Sequence, residues 1–340
     1  MSLLPFVHRV SSGENLTSEE AHQAMSVLLE GGASATVIAA FLVALRMKGE
    51  TSAELAGFAR AMRERVIFVD AGEGLIDTCG TGGDAAGTFN ISTIAAIVMA
   101  GAGARVAKHG NRSISSQTGS ADVLEALGVR IAMTPEEAAR AIREIGIGFL
   151  FAPLLHPAMK HAQPVRRELK MRTVFNLLGP LVNPARARTQ LIGTPAPTAA
   201  PLIAGALAEL GTDHAFVVHG HDGLDEISTT GPTDVYEVRG GSVERHLWMP
   251  SDFGVSTASL AQLAGGDPAQ NAQIAIQVLS GAAGPARDIV LVNAAAGLVA
   301  AGLAPDLRTA MTVAAESIDS GSAARRLAML KQCFPVTSER

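Results

Sequence analysis

The chain has 340 residues, a net charge of −5, and is 48% hydrophobic and 17% charged. That length allows one large or two ordinary domains, with ample apolar side chain for a core. The acidic balance excludes a general nucleic-acid binder, which needs a basic face, although a few converging donors can still hold a phosphate ligand. With one Trp and one Tyr, the core must be filled by Ala, Gly, Leu and Val, which suits helices packed closely on a parallel sheet. Two distant cysteines, Cys79 and Cys333, make neither a disulfide framework nor a zinc pattern and point to a reducing cytosol.

The first 70 residues predict three helices and no strand. Thr17 with Glu20 forms a capping box for a helix ended by Gly31 and Gly32. Ser34 caps a second, and Thr51 with Glu54 boxes a third. The opening residues lack the basic flank and long apolar run of a signal peptide. From residue 66 the pattern changes. Short apolar runs at 75–79, 104–107 and 147–152 predict strands. Helices are expected at 92–101, from a cap at Ser120 to Gly128, and from Thr134 and Pro135 onward. The uncharged run 85–104 is long enough to suggest a membrane span. It contains Gly87, Asn90, Ser92 and Gly101, and reads instead as a loop feeding a buried helix, with no membrane association expected.

Residues 153–184 read as helical and loop-broken, carrying Arg166, Arg167, Lys170 and Arg172. Strands at 189–193 and 214–218 flank a helix at 198–210. Gly240 and Gly241 turn a hairpin between Val235 and Leu247. The tail from Asn271 is helical, broken at 281–285. Strands alternating with helices imply a mostly parallel sheet flanked by helices. The expected fold is therefore α/β, a small all-helical N-terminal domain plus a large α/β domain.

Four segments carry chemistry. Gly80, Thr81, Gly82, Gly83 and Asp84 follow a strand and precede a helix start at Asn90, Ile91, Ser92 and Thr93. Backbone N–H groups of such a loop, with a helix N-terminus behind them, form an anion nest. Lys108, His109, Gly110, Asn111 and Arg112 end the next strand, where open α/β sheets bind ligands, and two cations with an amide suit a diphosphate. Ser113, Ser115, Ser116 and Ser120 follow. Asp225 and Glu226 lie beyond a third strand. Adjacent carboxylates repel, so a pair there suggests a hard cation such as Mg²⁺ between them. Arg166 or Arg167 could hold a substrate carboxylate, and the residues alone do not rank the two.

In this order the segments resemble the anthranilate phosphoribosyltransferase family over nearly the whole chain. The glycine loop is similar in pyrimidine nucleoside phosphorylases of the same fold, the alternative function. Lys108 to Arg112 and the Val-Arg-Arg-Glu-Leu run at 165–169 resemble the transferase. The resemblance implies transfer of the phosphoribosyl group from phosphoribosyl diphosphate (PRPP) to the anthranilate amine, in tryptophan biosynthesis. It implies a homodimer formed through a helical domain at 1–70, completed by helices within about 153–188. Residues 71–152 and 189–340 would form the PRPP-binding domain.

By motif, PRPP would be met by Gly80, Gly83, Asp84, Thr88, Asn90, Ile91, Ser92 and Thr93. It would also be met by Lys108, His109, Gly110, Asn111, Arg112, Ser113, Ile114, Ser115, Ser116 and Ser120. Gly80, Asn111 and Arg166 would meet anthranilate. Ser92, Asp225 and Glu226 would hold Mg²⁺, two ions per subunit. Lys108, Arg166 and Asn111 would act electrostatically and by positioning, with no covalent nucleophile. Lys170 departs from the family, which has glycine after Arg-Glu-Leu.

Overall fold

The computed structural model describes residues 2–84, 86–113 and 117–336. Ile114, Ser115 and Ser116, expected at the phosphate, lie outside the described residues. Four helices open the chain rather than three: α1 (Leu4–Ser11), α2 (Ser18–Leu29), α3 (Ala35–Lys48) and α4 (Ser52–Arg63). The capping boxes of α2 and α4 and the Ser34 cap of α3 form as written in the sequence. The unanticipated α1 has 8 residues and no side-chain cap. A helix that short is marginal alone; burial of Phe6 and Val10, with packing on α3, holds it.

The rest alternates. In chain order come β1 (Leu75–Thr78), α5 (Ile91–Gly101), β2 (Arg105–Gly110), α6 (Ser120–Ala126), α7 (Pro135–Ile145) and β3 (Ile147–Phe151). Short helices α8 (Ala152–Leu155), α9 (Gln163–Leu169) and α10 (Phe175–Leu178) lead to β4 (Thr189–Gly193), α11 (Ala199–Glu209) and β5 (His214–Gly220). A hairpin of β6 (Thr233–Arg239) and β7 (Ser242–Trp248) precedes α12 (Pro250–Phe253), α13 (Pro268–Leu279), α14 (Pro285–Ala300), α15 (Leu307–Asp319) and α16 (Ser322–Cys333). α5 spans 11 residues, and no helix among the described residues is long and apolar enough to cross a membrane.

The seven strands lie in the order β3-β2-β1-β4-β5-β6-β7. The first five are parallel, and β6 and β7 are antiparallel. β1 is the switch point: the chain winds outward from it to β2 and β3 on one side, then to β4 and β5 on the other. Loops diverge there at the carboxyl ends and leave a crevice. β2 runs three residues beyond its expected end, because Lys108, His109 and Gly110 pair with Phe149, Leu150 and Phe151 of β3. Ser120, expected as a cap, is the first residue of α6, with Gly119 at the cap.

Side chains alternate across the sheet. In β5, Phe216 and Val218 enter the core beneath α5 and α14, while Ala215 and Val217 enter a second core. That second core also takes side chains from α1 to α4, from α11, and from Val165, Phe175 and Leu178.

Lys170 ends α9 in the left-handed region, at φ 48 and ψ 34. This conformation costs an L side chain about 1–2 kcal/mol, which explains why glycine suits the position. Lys170→Gly removes that strain and gives back roughly 0.5–1 kcal/mol to the looser unfolded chain. We expect a Tm increase of about 1–2 °C in a thermal melt; a decrease would show that the lysine side chain itself stabilises the turn.

Candidate active site

The loop after β1 turns at once. Gly82 and Gly83 take φ 67 and φ 83, a path other residues rarely follow. The loop is fastened to the β4–β5 side of the crevice. Thr81 N donates to Gly193 O at 2.8 Å, and Gly82 N donates to Asp225 Oδ2 at 3.1 Å. Asp225 fits because both neighbouring strand ends are glycine. A Cβ on Gly80 would lie 2.8 Å from Asp225 Oδ2, and one on Gly193 would lie 1.5 Å from Asp225 O.

The crevice gathers three carboxylates. Asp84 shares a hydrogen bond with Asp225, and Glu226 Oε1 accepts the Ser92 N–H at 3.1 Å. The N-terminus of α5, expected to face phosphate, therefore already holds a carboxylate, a favourable place for negative charge. Lys108 is the cation among them, 3% exposed. Its Nζ donates to Thr78 O at 2.6 Å and to Thr78 Oγ1 at 3.3 Å.

Like charges about 4 Å apart near a protein surface repel by about 4 kcal/mol, and one lysine does not neutralise three acids. Burial, then Asp84, pushes the Asp225 carboxyl up to about 7. Burial and Asp225 push Glu226 well above the usual carboxylate range, against the pull of Lys108. Asp84 is raised too, chiefly by burial. Excess negative charge on hard oxygen donors fits a divalent cation, and the Ser92 hydroxyl makes no hydrogen bond among the described residues. A second cluster, Asp77, Cys79 and His109, does not fit one. Both Asp77 oxygens already accept hydrogen bonds, and burial pushes the Cys79 thiol far up.

Across the crevice lies the 156–184 segment. The Arg166 guanidinium sits 5.2 Å from the centroid of the Phe175 ring. It is half-buried and has no hydrogen-bond or ion partner among the described residues, whereas Arg167 is exposed. A desolvated arginine without a counter-ion is ready for a ligand carboxylate, and this separates the two arginines. Arg172, a residue given no role from the sequence, donates to Gly82 O at 3.3 Å and brings this segment against the glycine loop. The His109 ring turns the same way. Its Nδ1 lies 3.2 Å from Gly179 O, and a carbonyl only accepts, so Nδ1 carries the proton. His109 Nε2 must then accept from His156 Nε2, 3.1 Å away. Burial lowers His109 to about 3 and His156 to about 4, so both are neutral at pH 7.

Residues 4–66 match the glycosyl transferase family, helical bundle domain, and residues 72–324 match the glycosyl transferase family, a/b domain. The anthranilate phosphoribosyltransferase of Solibacter usitatus is 60% identical over 97% of this chain and 98% of its own length. That of Symbiobacterium thermophilum is 53% identical over 96% of each. The chain belongs to the anthranilate phosphoribosyltransferase family. The crystal structure of the Thermus thermophilus anthranilate phosphoribosyltransferase superposes with a TM-score of 0.92 at 44% identity, covering 98% of this chain and 99% of that one. The Saccharomyces cerevisiae enzyme in complex with PRPP and Mg gives 0.89 at 31%, covering 97% of each.

In this chain the expected residues divide into two sets. Gly80, Gly83, Asp84, Ser92, Lys108, Asp225 and Glu226 converge at the crevice. Others are engaged within the protein. Asn90 donates to Thr118 O and accepts from Asn271. Thr88 bridges to Ala264. Ile91 and Thr93 are buried in α5. Arg112 is paired with Asp122 and Glu125, and Ser113 N donates to Asp122. Asn111 is exposed, its Oδ1 accepting from Arg112 N, while its carbonyl accepts from Ser120 Oγ. A Cβ on Gly110 would lie 2.4 Å from Ser120 Oγ. Sequence reasoning missed Gly193, whose only signal was a glycine closing a strand.

The carboxylate cluster makes a prediction for metal-free protein. Asp225 has a folded-state pKa above its unfolded value of about 3.9, so its charged form is the disfavoured one. The destabilisation is complete above the folded value and fades as pH falls toward the unfolded value. Asp225→Asn, with chelator present, should therefore raise Tm at pH 8, with the gain shrinking steadily toward pH 4. A gain independent of pH would contradict the charge argument.

Proposed function

We propose that this crevice transfers the 5-phosphoribosyl group of PRPP to the amino group of anthranilate, releasing diphosphate, as a step of tryptophan biosynthesis. The reading is supported by two sets of groups: crowded acids with Lys108 at the strand ends, and an unpaired half-buried Arg166 on the segment that Arg172 joins to the glycine loop. Asp225, Glu226 and Ser92, with Asp84 beside them, would hold Mg²⁺, two ions per subunit. An ion held by these residues would supply positive charge to offset that of the diphosphate. The protein's own groups do the rest. Lys108, with those glycine-loop N–H groups not already given to Gly193 and Asp225, stabilises the leaving oxygens by preorganised electrostatics. Lys108 to Ser113, with Ser120, shape the phosphate side. Arg166 binds the anthranilate carboxylate, and Asn111 and Gly80 border the acceptor. The aromatic amine is neutral at pH 7 and already nucleophilic, so no strong base is required. Holding it opposite the leaving group supplies the remaining rate, with inversion at C1.

We also infer a cytoplasmic homodimer, in keeping with two free cysteines and with Leu4 and Met47, exposed on α1 and α3 at 47% and 83%. Residues 1–70 with helices of 153–188 would form the dimerising domain, and 71–152 with 189–340 the PRPP-binding domain. The test is loss of anthranilate fluorescence on adding PRPP and Mg²⁺, each omitted in turn. Loss only in the complete mixture supports the reading, and no loss refutes it. Arg166→Ala should raise KM for anthranilate by roughly 10- to 100-fold, the equivalent of about 1.5–3 kcal/mol for one charge-assisted bond, with KM for PRPP nearly unchanged. Equal effects on both substrates would remove Arg166 from the acceptor site.

A further inference from the structure

Between β1 and β2 the backbone ladder stops early. Paired residues end at Ile76 and Val106, while β2 continues to Gly110 along β3. In a strand, alternate residues direct their N–H and C=O to the same edge, so Ala107 O and His109 N both face β1. One further β1 residue would ordinarily have taken both. Here two side chains do so. His109 N donates to Asp77 Oδ1 at 3.0 Å, and Asn183 Nδ2 donates to Ala107 O at 2.8 Å. The two are joined to each other, Asn183 Nδ2 donating to Asp77 Oδ2 at 2.7 Å. Asn183 Oδ1 accepts from Ala185 N at 2.8 Å. Asp77 is 0% exposed and Asn183 2%, so every polar atom of the pair that faces a strand or the 183–185 turn is satisfied without water.

This arrangement has a consequence for the crevice. The Thr78 carbonyl, released from any ladder with β2, accepts Lys108 Nζ. The buried Asp77 charge attracts the Lys108 ammonium. The same pair grips the chain four residues after Gly179, whose carbonyl orients His109. We propose that Asp77 and Asn183 are positioning residues for the transfer: a buried side-chain splint that spreads the ends of β1 and β2, sets Lys108 in the gap, and locks that lysine in register with the acceptor-side segment. The inference rests on the transferase reading, because it assigns Lys108 to the diphosphate and the 176–184 segment to the acceptor. Displacing reacting groups by about 1 Å can lower a rate by about 10²-fold.

The test measures kcat, both KM values and Tm for Asp77→Asn, Asn183→Asp and the double variant. Asp77→Asn turns one of two acceptors into an NH2 that must face the His109 N–H or Asn183 Nδ2, and Asn183→Asp sets carboxylate against carboxylate. The double change restores a donor–acceptor pair and the Ala185 bond, but sets a carboxylate oxygen against Ala107 O, so recovery is partial. Expected are a kcat loss of roughly 30- to 100-fold in each single variant, with both KM values within about threefold of the parent. Recovery of at least about tenfold is expected in the double variant. Unchanged kcat in a folded single variant, a change confined to one KM or to Tm, or no recovery in the double variant would each overturn the proposal. If the single variants do not fold, Asn183→Ser replaces them. Its hydroxyl can still reach Asp77 but not also Ala107, so kcat should fall, and a parental kcat overturns the proposal. The unmutated chain is the control for the reading itself: its inactivity in the fluorescence assay would sink the transferase, whereas active parent and active variants would sink only the splint.

Discussion

Three carboxylates share one half-buried crevice with a single buried lysine, and their mutual repulsion is the constraint that the surrounding architecture must answer. An exposed acidic loop would spread apart. Here Asp225 fits against Gly80 and Gly193, where any side chain would collide with it, and its Oδ2 is held by Gly82 N. Glu226 is tied to the first turn of α5. The acids therefore stay crowded, and their charge is left for a bound cation rather than dispersed into water.

Parallel strands are what make the crowding possible. All the crevice groups lie at carboxyl ends of strands, and β1 is the place where the winding reverses. No single loop could bring Asp84, Lys108 and Asp225 together, since Asp84 follows β1, Lys108 lies within β2 and Asp225 follows β5. The break in the alternation, residues 156–184, adds a half-buried guanidinium, Arg166, and reaches the glycine loop through Arg172.

How far this was legible in the sequence follows from the range of each interaction. Capping boxes at Thr17 and Thr51 are local and were readable. So was the glycine loop, because φ > 0 restricts residue choice. The end of β2 was not readable, because Lys108 to Gly110 become strand only through pairing with β3. α1 escaped for a similar reason, being held by packing rather than by a cap. Arg166 and Arg167 differ only in which of them is buried. Glu226 accepts the Ser92 N–H at the α5 N-terminus through a contact spanning 134 positions, and the Asp77–Asn183 bond spans 106. Residue types announced the chemistry, while tertiary pairing decided which atom does what.

The alternation of β5 between two cores bears on modularity. Ala215 and Val217 point toward the same apolar mass that encloses Phe41, Phe58 and Leu42, and α11 lies directly on α4. The region matched as a helical bundle and the region matched as an a/b domain therefore share a wall rather than meeting at a polar seam. Excised from each other, each would bare an oily flank to solvent. Such a chain is expected to unfold as one cooperative body, although two family models divide it.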